Sequence, residues 1–517
     1  MPVRVVVHSS ETQVGGDHAT ATGALTVSDF AQLYTPMLRV GRPGQGQLTQ
    51  TGGLIVTTLN PQIGAYGPGT LDQTGGLFYH VRHMAVSRYG GSEGTCNIGG
   101  GINAGRWMIL AEDGGTDGEL NVSGGAMVSL GGSSVSPASL EVARNGLGTV
   151  NQTGGMVYAD SAMIASGASG NGTYNLGGGI LETRNLSMGP GTAAFNFTGG
   201  ALRVGTVAFS LNNQAGTLDV CTPMTAGWNA AWYDGNDMTD NPGAWTPGAP
   251  HSTQIVDAVE YGGGTPPGGY PGGSSDYYGT VYTASLYAPA AGLYSFRERV
   301  DDAAYLTIDG VPVLWDYTAA SDMGEPPGNP WEVHSFTTVG LAAGWHTLEF
   351  RWSDHWGGQN AYLEWDPAGG ENWSLLVGGA VFADTGSEVG TATILGDYVQ
   401  GADGTLAIDI GGYGEGTEFD VVDITGLADL AGTLDVALIG GFEPVLTDAF
   451  TILDAGQLVG TFDTLDTSDA LFSNPAMGWE VLYDYEAGTV TLVVVPEPTT
   501  LALLGLGGLA LLRRRRK

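Results

Sequence analysis

Positively charged residues are scarce in this sequence. Its 517 residues contain 17 Lys and Arg against 53 Asp and Glu, which gives a formal net charge of −36. Five of the 17 basic residues end the chain, from Arg513 to Lys517, so the part before them is more acidic still. Such a chain repels nucleic acids and anionic membrane surfaces, and its carboxylates suit a calcium-containing environment. We therefore expect no nucleic-acid partner.

Cysteines and long apolar runs are also few. Cys96 and Cys221 are the two cysteines, and they lie in different segments without metal-ligand spacing. This excludes a disulfide-rich scaffold and a cysteine zinc site. We expect two unrelated buried thiols, with a single disulfide as the alternative. The apolar run at residues 499–512 has 14 residues, fewer than the ~20 that a membrane-spanning helix needs.

Glycine, by contrast, is abundant, and a Gly-Gly step recurs through the first 220 residues. Its spacings are 23, 24, 25, 30, 23 and 22 residues, counted from the first glycine of each step. The steps begin at Gly52, Gly75, Gly99, Gly124, Gly154, Gly177 and Gly199. A period of 20–50 residues indicates a stack of repeats, and alternating apolar residues between glycines indicate strands. The sequence predicts a right-handed parallel β-helix over residues 1–221 and disfavours a propeller.

Asparagines precede the glycines at five of these steps: Asn97, Asn121, Asn151, Asn175 and Asn196. Amides at one corner of successive coils can hydrogen-bond to one another, so the spacing predicts an asparagine ladder. The phrase N-x-T/S-G-G resembles autotransporter-type β-solenoid repeats. The segment at 379–495, with "GTLAIDI" and "AGTLDV", resembles the last coils of such solenoids.

The middle segment, residues 222–378, has a different composition. Ten of the 12 tryptophans lie between Trp228 and Trp373. The motifs "GLYSF", "LTIDG", "GWHTLEF" and "YLEW" follow one another along alternating strands. In type and order they resemble the protective-antigen-type β-sandwich of bacterial toxins, glycosidases and yeast adhesins. The sequence thus predicts an all-β protein, in which a solenoid carries an inserted or appended β-sandwich and ends in a short C-terminal apolar helix.

The sandwich resemblance implies a ligand site. In sugar-binding members of that family, paired aspartates hold a calcium ion that engages sugar hydroxyls. Asp301 and Asp302 match the pair, and Asn360 matches a third ligand on a later loop. Trp352 and Trp356 are the candidates for stacking on sugar rings. Oxygen ligands of this kind suit Ca²⁺, so calcium is the expected ion and an extracellular glycan the expected partner.

The C-terminal 22 residues, 496–517, form a separate signal. Pro496, Glu497 and Pro498 precede the apolar run, and Arg513, Arg514, Arg515 and Arg516 follow it. This arrangement resembles the PEP-CTERM tail of exported bacterial proteins. The resemblance implies export to the cell envelope or matrix, a transient membrane anchor, and cleavage by an exosortase-like enzyme. The first residues lack the apolar core of an export signal, so we expect the sequence to be a fragment or its start to be misassigned.

Together these features predict a non-enzymatic surface protein that binds carbohydrate through the sandwich. The alternative is an extracellular polysaccharide-active enzyme, a lyase or glycosidase whose solenoid is catalytic and whose sandwich guides the substrate. Such a solenoid needs Asp together with Arg or Lys on one face. Arginines such as Arg88, Arg144 and Arg203 share no evident phase in the repeat, which disfavours the enzyme.

Overall fold

The computed structural model describes residues 4–6, 10–29, 31–131, 139–234, 245–301, 303–316, 335–354 and 359–497. These residues form strands, turns and loops, with a single short 3-10 helix at Pro271–Gly273 and no α-helix. The predicted all-β class is therefore confirmed. The short C-terminal apolar helix that the sequence predicts lies outside the described residues.

The strands fall into three groups along the chain. Those of the N-terminal repeats are β1 Arg4–Val6, β2 Thr12–Val14, β3 Thr22–Val27, β4 Gln32–Thr35, β5 Leu38–Val40, β6 Gln45–Thr57, β7 Gln62–Ile63, β8 Gly69–His80, β9 Met84–Val86, β10 Glu93–Gly105, β11 Met108–Leu110, β12 Asp117–Val122, β13 Met127–Leu130, β14 Leu140–Val142, β15 Leu147–Ile164, β16 Asn171–Met188, β17 Thr192–Val207, β18 Leu211–Asn213 and β19 Thr217–Asp219. Those of the middle segment are β20 Thr225–Ala226, β21 Trp228–Asp234, β22 Ser252–Val256, β23 Glu260–Gly262, β24 Tyr278–Ala288, β25 Gly292–Val300, β26 Ala303–Ile308, β27 Val311–Asp316, β28 Ser335–Leu341, β29 Gly344–Asp354, β30 Asn360–Asp366, β31 Ser374–Leu375 and β32 Val381–Asp384. Those of the closing segment are β33 Thr391–Ile394, β34 Tyr398–Gln400, β35 Thr405–Ile410, β36 Val421–Leu430, β37 Thr433–Leu438, β38 Ala449–Gly460, β39 Thr464–Asp469, β40 Met477–Asp484 and β41 Thr489–Pro496.

The chain forms two compact units. The first contains residues 1–174, 189–194 and 224–385, and the second contains residues 175–188, 195–223 and 386–517. The first unit therefore holds most of the N-terminal repeats and the whole middle segment. The second holds the remaining repeat strands and the closing segment.

In the first unit, strands of successive repeats pair in parallel and in register. Leu48 of β6 pairs with Leu71 of β8, Leu71 with Cys96 of β10, and Cys96 with Leu120 of β12. All four side chains are fully buried, whereas neighbours along the strand such as Asp72 are more exposed. Stacked coils require this pairing, and the alternation agrees with the strand periodicity of the sequence. The complete right-handed solenoid stays a prediction.

Two kinds of turn in the repeats use a left-handed backbone. At each Gly-Gly step one glycine has a positive φ, and in four of the seven steps it is the second. At Gly76 this φ is +76°, and a Cβ there would lie 2.5 Å from the carbonyl oxygen of Gly53 in the preceding repeat. No side chain fits at that distance, which explains why glycine recurs. At a second corner the left-handed residue is Ser87, Ala111 or Ala143, with φ of 64°, 49° and 64°. That corner therefore carries no glycine signal in these repeats.

The residue after this second corner is arginine in three repeats: Arg42, Arg88 and Arg144. The sequence indicated no common phase for the arginines, and for Arg88 and Arg144 that interpretation is wrong. Their shared phase is hidden in the sequence because the repeats between them differ in length. Glu112 occupies the same position between Arg88 and Arg144 and pairs with them at 3.1 and 3.7 Å. Alternating charges on stacked strands attract one another, so this row stabilises the stack.

The asparagine ladder is confirmed among the described residues. The side-chain amide of Asn121 donates to the amide oxygen of Asn97 at 2.9 Å, and that of Asn151 donates to Asn121 at 2.9 Å. In the second unit Asn196 donates to Asn175 at 2.7 Å. The expected pair of separate, buried thiols is also confirmed, because Cys96 and Cys221 are both free and buried.

The middle segment forms two antiparallel sheets. The larger has the order β20-β32-β24-β29-β26-β27, with β21 beside β24 and β22 beside β21, and the smaller has the order β23-β30-β25-β28, with β31 beside β30. Their inner faces share one core, to which the larger sheet contributes Leu306 and Phe350 and the smaller contributes Phe296 and Trp365. This is a β-sandwich. Because β32 pairs with β20 and β24, the sandwich extends past residue 378 to Asp384.

The sandwich is inserted between paired strands of the second unit. Strands β17, β18 and β19, which precede it, pair in parallel with β33, β34 and β35, which follow it. At the base of the insertion Thr222 and Ser387 exchange two backbone hydrogen bonds, at 3.0 and 2.9 Å. Of the two arrangements left open by the sequence, inserted or appended, the structure has the inserted one. The closing segment continues with parallel pairs β36–β38 and β37–β39 and ends in the antiparallel hairpin β40–β41.

Within the first unit the sandwich packs against the repeats along one row of equivalent residues. The row runs through Tyr34, Val56, Tyr79, Ala104, Ser129 and Tyr158, which pair in register across successive strands. Its hydroxyls bond to the sandwich segment: Tyr79 donates to the carbonyl oxygen of Leu375 at 2.7 Å, and Ser129 to that of Gly379 at 2.7 Å. An ion pair between Arg106 and Asp257 lies beside this row. The contact therefore fixes the orientation of the sandwich within this unit.

Candidate functional site

The structure describes three of the five residues predicted at the ligand site. Asp301 follows β25, Trp352 lies in β29, and Asn360 begins β30. Asp302 and Trp356 lie outside the described residues. Strands β25 and β30 are antiparallel neighbours, with Val300 opposite Ala361. This pairing brings the predicted aspartate loop and the predicted asparagine to the same end of the smaller sheet. We call this end of the sandwich the Asp301 edge.

The two half-buried residues Asp301 and Asn360 are in direct contact through the backbone. The N–H of Asp301 donates to the carbonyl oxygen of Asn360 at 3.0 Å. The indole Nε1–H of Trp352 donates to the carbonyl oxygen of Asp301 at 2.7 Å. Asp301 therefore contacts both Asn360 and Trp352, although the three residues are far apart along the chain. A ligand site formed by their side chains stays a prediction.

Trp352 does not have the predicted role. Its side chain is 0% exposed, and its ring packs edge-on against Trp232 and Tyr278 and tilted against Tyr261, with centroids 5.4–6.3 Å apart. A ring in this position offers no face to a sugar. Neighbouring residues of a strand point to opposite faces, and on β29 Trp352 faces the core while Arg351 faces outward. The sequence alone did not show which of the two faces the core, and the predicted stacking role of Trp352 was therefore wrong.

Asp354 is a further acidic residue at this edge that the sequence reasoning missed. It ends β29 and is 1% exposed. Because Ser353 pairs with Ala303, two residues after Asp301, Asp354 falls at the same end of the sandwich. Asp354 follows Leu348, Phe350 and Trp352 at every second position of β29, and a carboxylate in that buried phase was the available signal. Burial, together with the nearby Asp354 carboxylate, raises the pKa of the Tyr261 and Tyr278 hydroxyls.

The donor atoms at this edge suit a hard cation. Asp301 supplies a carboxylate and Asn360 an amide oxygen, both of which are common calcium ligands. Within the ranges that the structure describes, no group of three or more His, Cys, Asp or Glu side chains could hold a metal ion. Asp301 and Asn360 are thus the two described members of the predicted ligand set, and the third member, Asp302, lies outside the described residues.

Of the predicted sorting signal, the structure describes Pro496 and Glu497. Pro496 ends β41 opposite Met477, and the N–H of Glu497 donates to the carbonyl oxygen of Ala476 at 2.8 Å. Pro498 and Arg513 to Arg516 lie outside the described residues. Throughout the part of the chain that is described, no helix has the length and apolar character needed to cross a membrane.

Comparison with known proteins identifies the tail. The PEP-CTERM protein-sorting motif matches residues 494–517, which indicates an exported protein with a C-terminal sorting signal. The motif covers only the end of the chain. No curated relative matches the sequence.

Solved structures similar to this chain cover about a third of it. An anti-sigma factor domain-containing protein from Clostridium clariflavum matches 30% of this chain at 16% identity and a TM-score of 0.23, and the match spans 46% of its own length. A PA14 sugar-binding domain from an RTX adhesin matches 31% of this chain and 98% of its own, at 17% identity and a TM-score of 0.25. The Epithelial Adhesin 9 A domain from Candida glabrata, in complex with Galb1-4GlcNAc, matches 31% of this chain and 91% of its own, at 11% identity and a TM-score of 0.23. Similarities this low assign neither a ligand nor an activity to this chain.

Proposed function

We propose that this exported protein is displayed at the cell surface or in the extracellular matrix and binds carbohydrate there through its sandwich. The observation that carries the proposal is the backbone hydrogen bond between Asp301 and Asn360. The N–H of Asp301 donates to the carbonyl oxygen of Asn360, with 3.0 Å between the nitrogen and the oxygen. Two residues singled out by a sugar-site resemblance thus lie side by side at one edge of the sandwich. Both residues are half-buried.

Calcium is the ion that we propose for this edge. Asp301, Asp302 and Asn360 would hold it, with oxygen ligands that match its preference. When bound, the ion would supply positive charge for coordination by sugar hydroxyls. Trp356 is the proposed stacking residue, since Trp352 belongs to the core.

We further propose that the repeats form a right-handed β-solenoid that serves as a stalk. The parallel, in-register pairing of β6, β8, β10 and β12 supports this proposal. The hydroxyl row along Tyr79 and Ser129 would hold the sandwich in a fixed orientation on the stalk. The tail would anchor the precursor in the membrane through residues 499–512 until an exosortase-like enzyme removes it.

The alternative, a polysaccharide-active enzyme, is favoured by one observation. Arg88, Glu112 and Arg144 do share one face of the repeats, so a carboxylate lies there between two arginines, although it belongs to a glutamate and not to the expected aspartate. Their charges are paired with one another, however, which suits a stabilising role. A reducing-sugar assay on the full chain decides between the two: release of sugar that is lost in Glu112→Gln would favour the enzyme.

The test of carbohydrate binding is a glycan array probed with the full chain in calcium and in EDTA. Our proposal predicts binding in calcium that EDTA abolishes and that the double variant Asp301→Ala, Asp302→Ala lacks. Asp403→Ala, which removes an exposed carboxylate of the closing segment, is the matched control and should bind as the wild type does. Binding that survives both EDTA and the double variant would overturn the calcium mechanism.

A further inference from the structure

The outer face of the larger sheet carries a polar groove far along the strands from the Asp301 edge. It has a volume of about 330 Å³, and its polar lining residues are Thr283, Ser285, Thr307, Thr347 and Glu349. Ala284, Gly310, Leu348 and Ala383 complete the lining. The lining comes from β24, β26 and β29, which are hydrogen-bonded neighbours. We call this surface the outer-face groove.

Strand register places an aromatic row directly beside the groove. Thr307 pairs with Glu349, and Glu349 pairs with Thr283, which forms one outward row. Two residues further along the same strands, Tyr305 pairs with both Trp315 and Arg351. Residues two apart on a strand point to the same face, so this second row also faces outward. Trp315 accordingly is 55% exposed.

Three of the four groove hydroxyls lack internal partners. Within the described residues the side-chain oxygens of Thr283, Ser285 and Thr307 make no hydrogen bond, so each can donate to and accept from a ligand. The fourth hydroxyl, of Thr347, donates to the carboxylate of Asp309 at 3.4 Å. The groove carries no net charge, because the carboxylate of Glu349 accepts a hydrogen bond from the guanidinium of Arg351 at 2.7 Å. That guanidinium also lies over the ring of Tyr305, 5.9 Å from its centroid.

We propose that the outer-face groove is a second binding site, one that takes a neutral polysaccharide without calcium. A sugar chain presents hydroxyls, which match the three free hydroxyls, and flat C–H faces, which match the exposed ring of Trp315. The uncharged groove has no net positive charge that would attract an acidic glycan, and the net charge of −36 on the whole chain repels one. This site shares no residue with the Asp301 edge, so it stands or falls separately from the calcium proposal.

The test is affinity electrophoresis of the full chain, in EDTA, through gels that contain dextran, laminarin or hydroxyethylcellulose. These three neutral glucans differ in linkage and need no metal. The groove predicts retardation in at least one gel. Trp315→Ala should weaken that binding by roughly tenfold or more, equal to about 1.4 kcal/mol, and Thr307→Val should weaken it without removing an aromatic ring. Circular dichroism checks that both variants are folded.

The matched control is Phe336→Ala, which removes a 53% exposed aromatic ring from the smaller sheet. Binding should survive this change and should also survive Asp301→Ala. No retardation in any of the three gels would overturn the inference, as would an equal loss in Phe336→Ala. Retardation that needs calcium and is lost in Asp301→Ala would place the glycan at the Asp301 edge and would also overturn it.

Discussion

The hydroxyl of Tyr79 joins the repeats to the sandwich by two hydrogen bonds. It donates to the carbonyl oxygen of Leu375 at 2.7 Å and accepts from the N–H of Val377 at 3.0 Å. Tyr79 itself is completely buried. A backbone segment of the sandwich thus finds its hydrogen-bond partners in a side chain of the repeats, nearly 300 residues earlier.

Tyr79→Phe should lower the free energy of unfolding by about 1–3 kcal/mol, because it leaves the buried N–H of Val377 without a partner. Urea denaturation of the full chain measures the change. Tyr287→Phe is the control, since the Tyr287 hydroxyl makes no hydrogen bond within the described ranges. Equal stability of Tyr79→Phe and the wild type would show that the hydroxyl does not hold the sandwich in place.

Asn121→Ala should also destabilise the protein, because it breaks the asparagine ladder on both sides. Asn121 donates to Asn97 and accepts from Asn151, at 2.9 Å in each case. The loss of two hydrogen bonds at a half-buried position corresponds to about 1–3 kcal/mol in the free energy of unfolding. Thermal or urea denaturation checks it beside Asn212→Ala, an exposed strand asparagine. If the two variants were equally stable, the ladder would contribute nothing measurable.

Stability should fall as the pH rises from about 4.5 to about 8. Burial, together with the nearby Asp316, raises the pKa of the fully buried Glu298 from 4.5 to about 8. Across this window the folded chain holds a proton that the unfolded chain has released, so the free energy of unfolding decreases with increasing pH. One such group contributes at most about 1.4 kcal/mol per pH unit.

Glu298→Gln removes this contribution and should flatten the pH dependence between pH 5 and pH 8, most clearly by gaining stability at the alkaline end. A series of urea melts across this range measures it, with the exposed Glu93→Gln as the control. Some slope should remain, because burial also raises the pKa of Asp420 to about 8. A wild-type slope in Glu298→Gln would mean that Glu298 ionises normally in the folded protein.

How far the sequence predicts this structure depends on which signals are local. The repeats could be recognised from the Gly-Gly steps because the turn at each step requires glycine. At Gly76, for example, a Cβ would collide with the carbonyl oxygen of Gly53. The row of Arg88, Glu112 and Arg144 was missed because its corner is turned by Ser87, Ala111 and Ala143, which leave no glycine in the sequence. The docking of Tyr79 on Leu375 depends on tertiary contact and has no local signature.

The candidate site was predicted in part for the same reason. Asp301 and Asn360 flank strands that the motif order places side by side, and they do lie together. Whether Trp352 and Asp354 are buried depends on which face of β29 packs against the core. The alternation of residues along this aromatic-rich strand did not show which face that is. Both are buried in the structure, at 0% and 1% exposure.

The proposed calcium site can be tested by titrating calcium into the full chain in an isothermal titration calorimeter. We expect saturable binding in the wild type that is absent from the double variant Asp301→Ala, Asp302→Ala and retained in Asp403→Ala. Reduced affinity in Asn360→Ala would extend the ligand set to the strand that contacts Asp301. The absence of any saturable heat in the wild type would contradict the proposal that the sandwich binds carbohydrate through calcium.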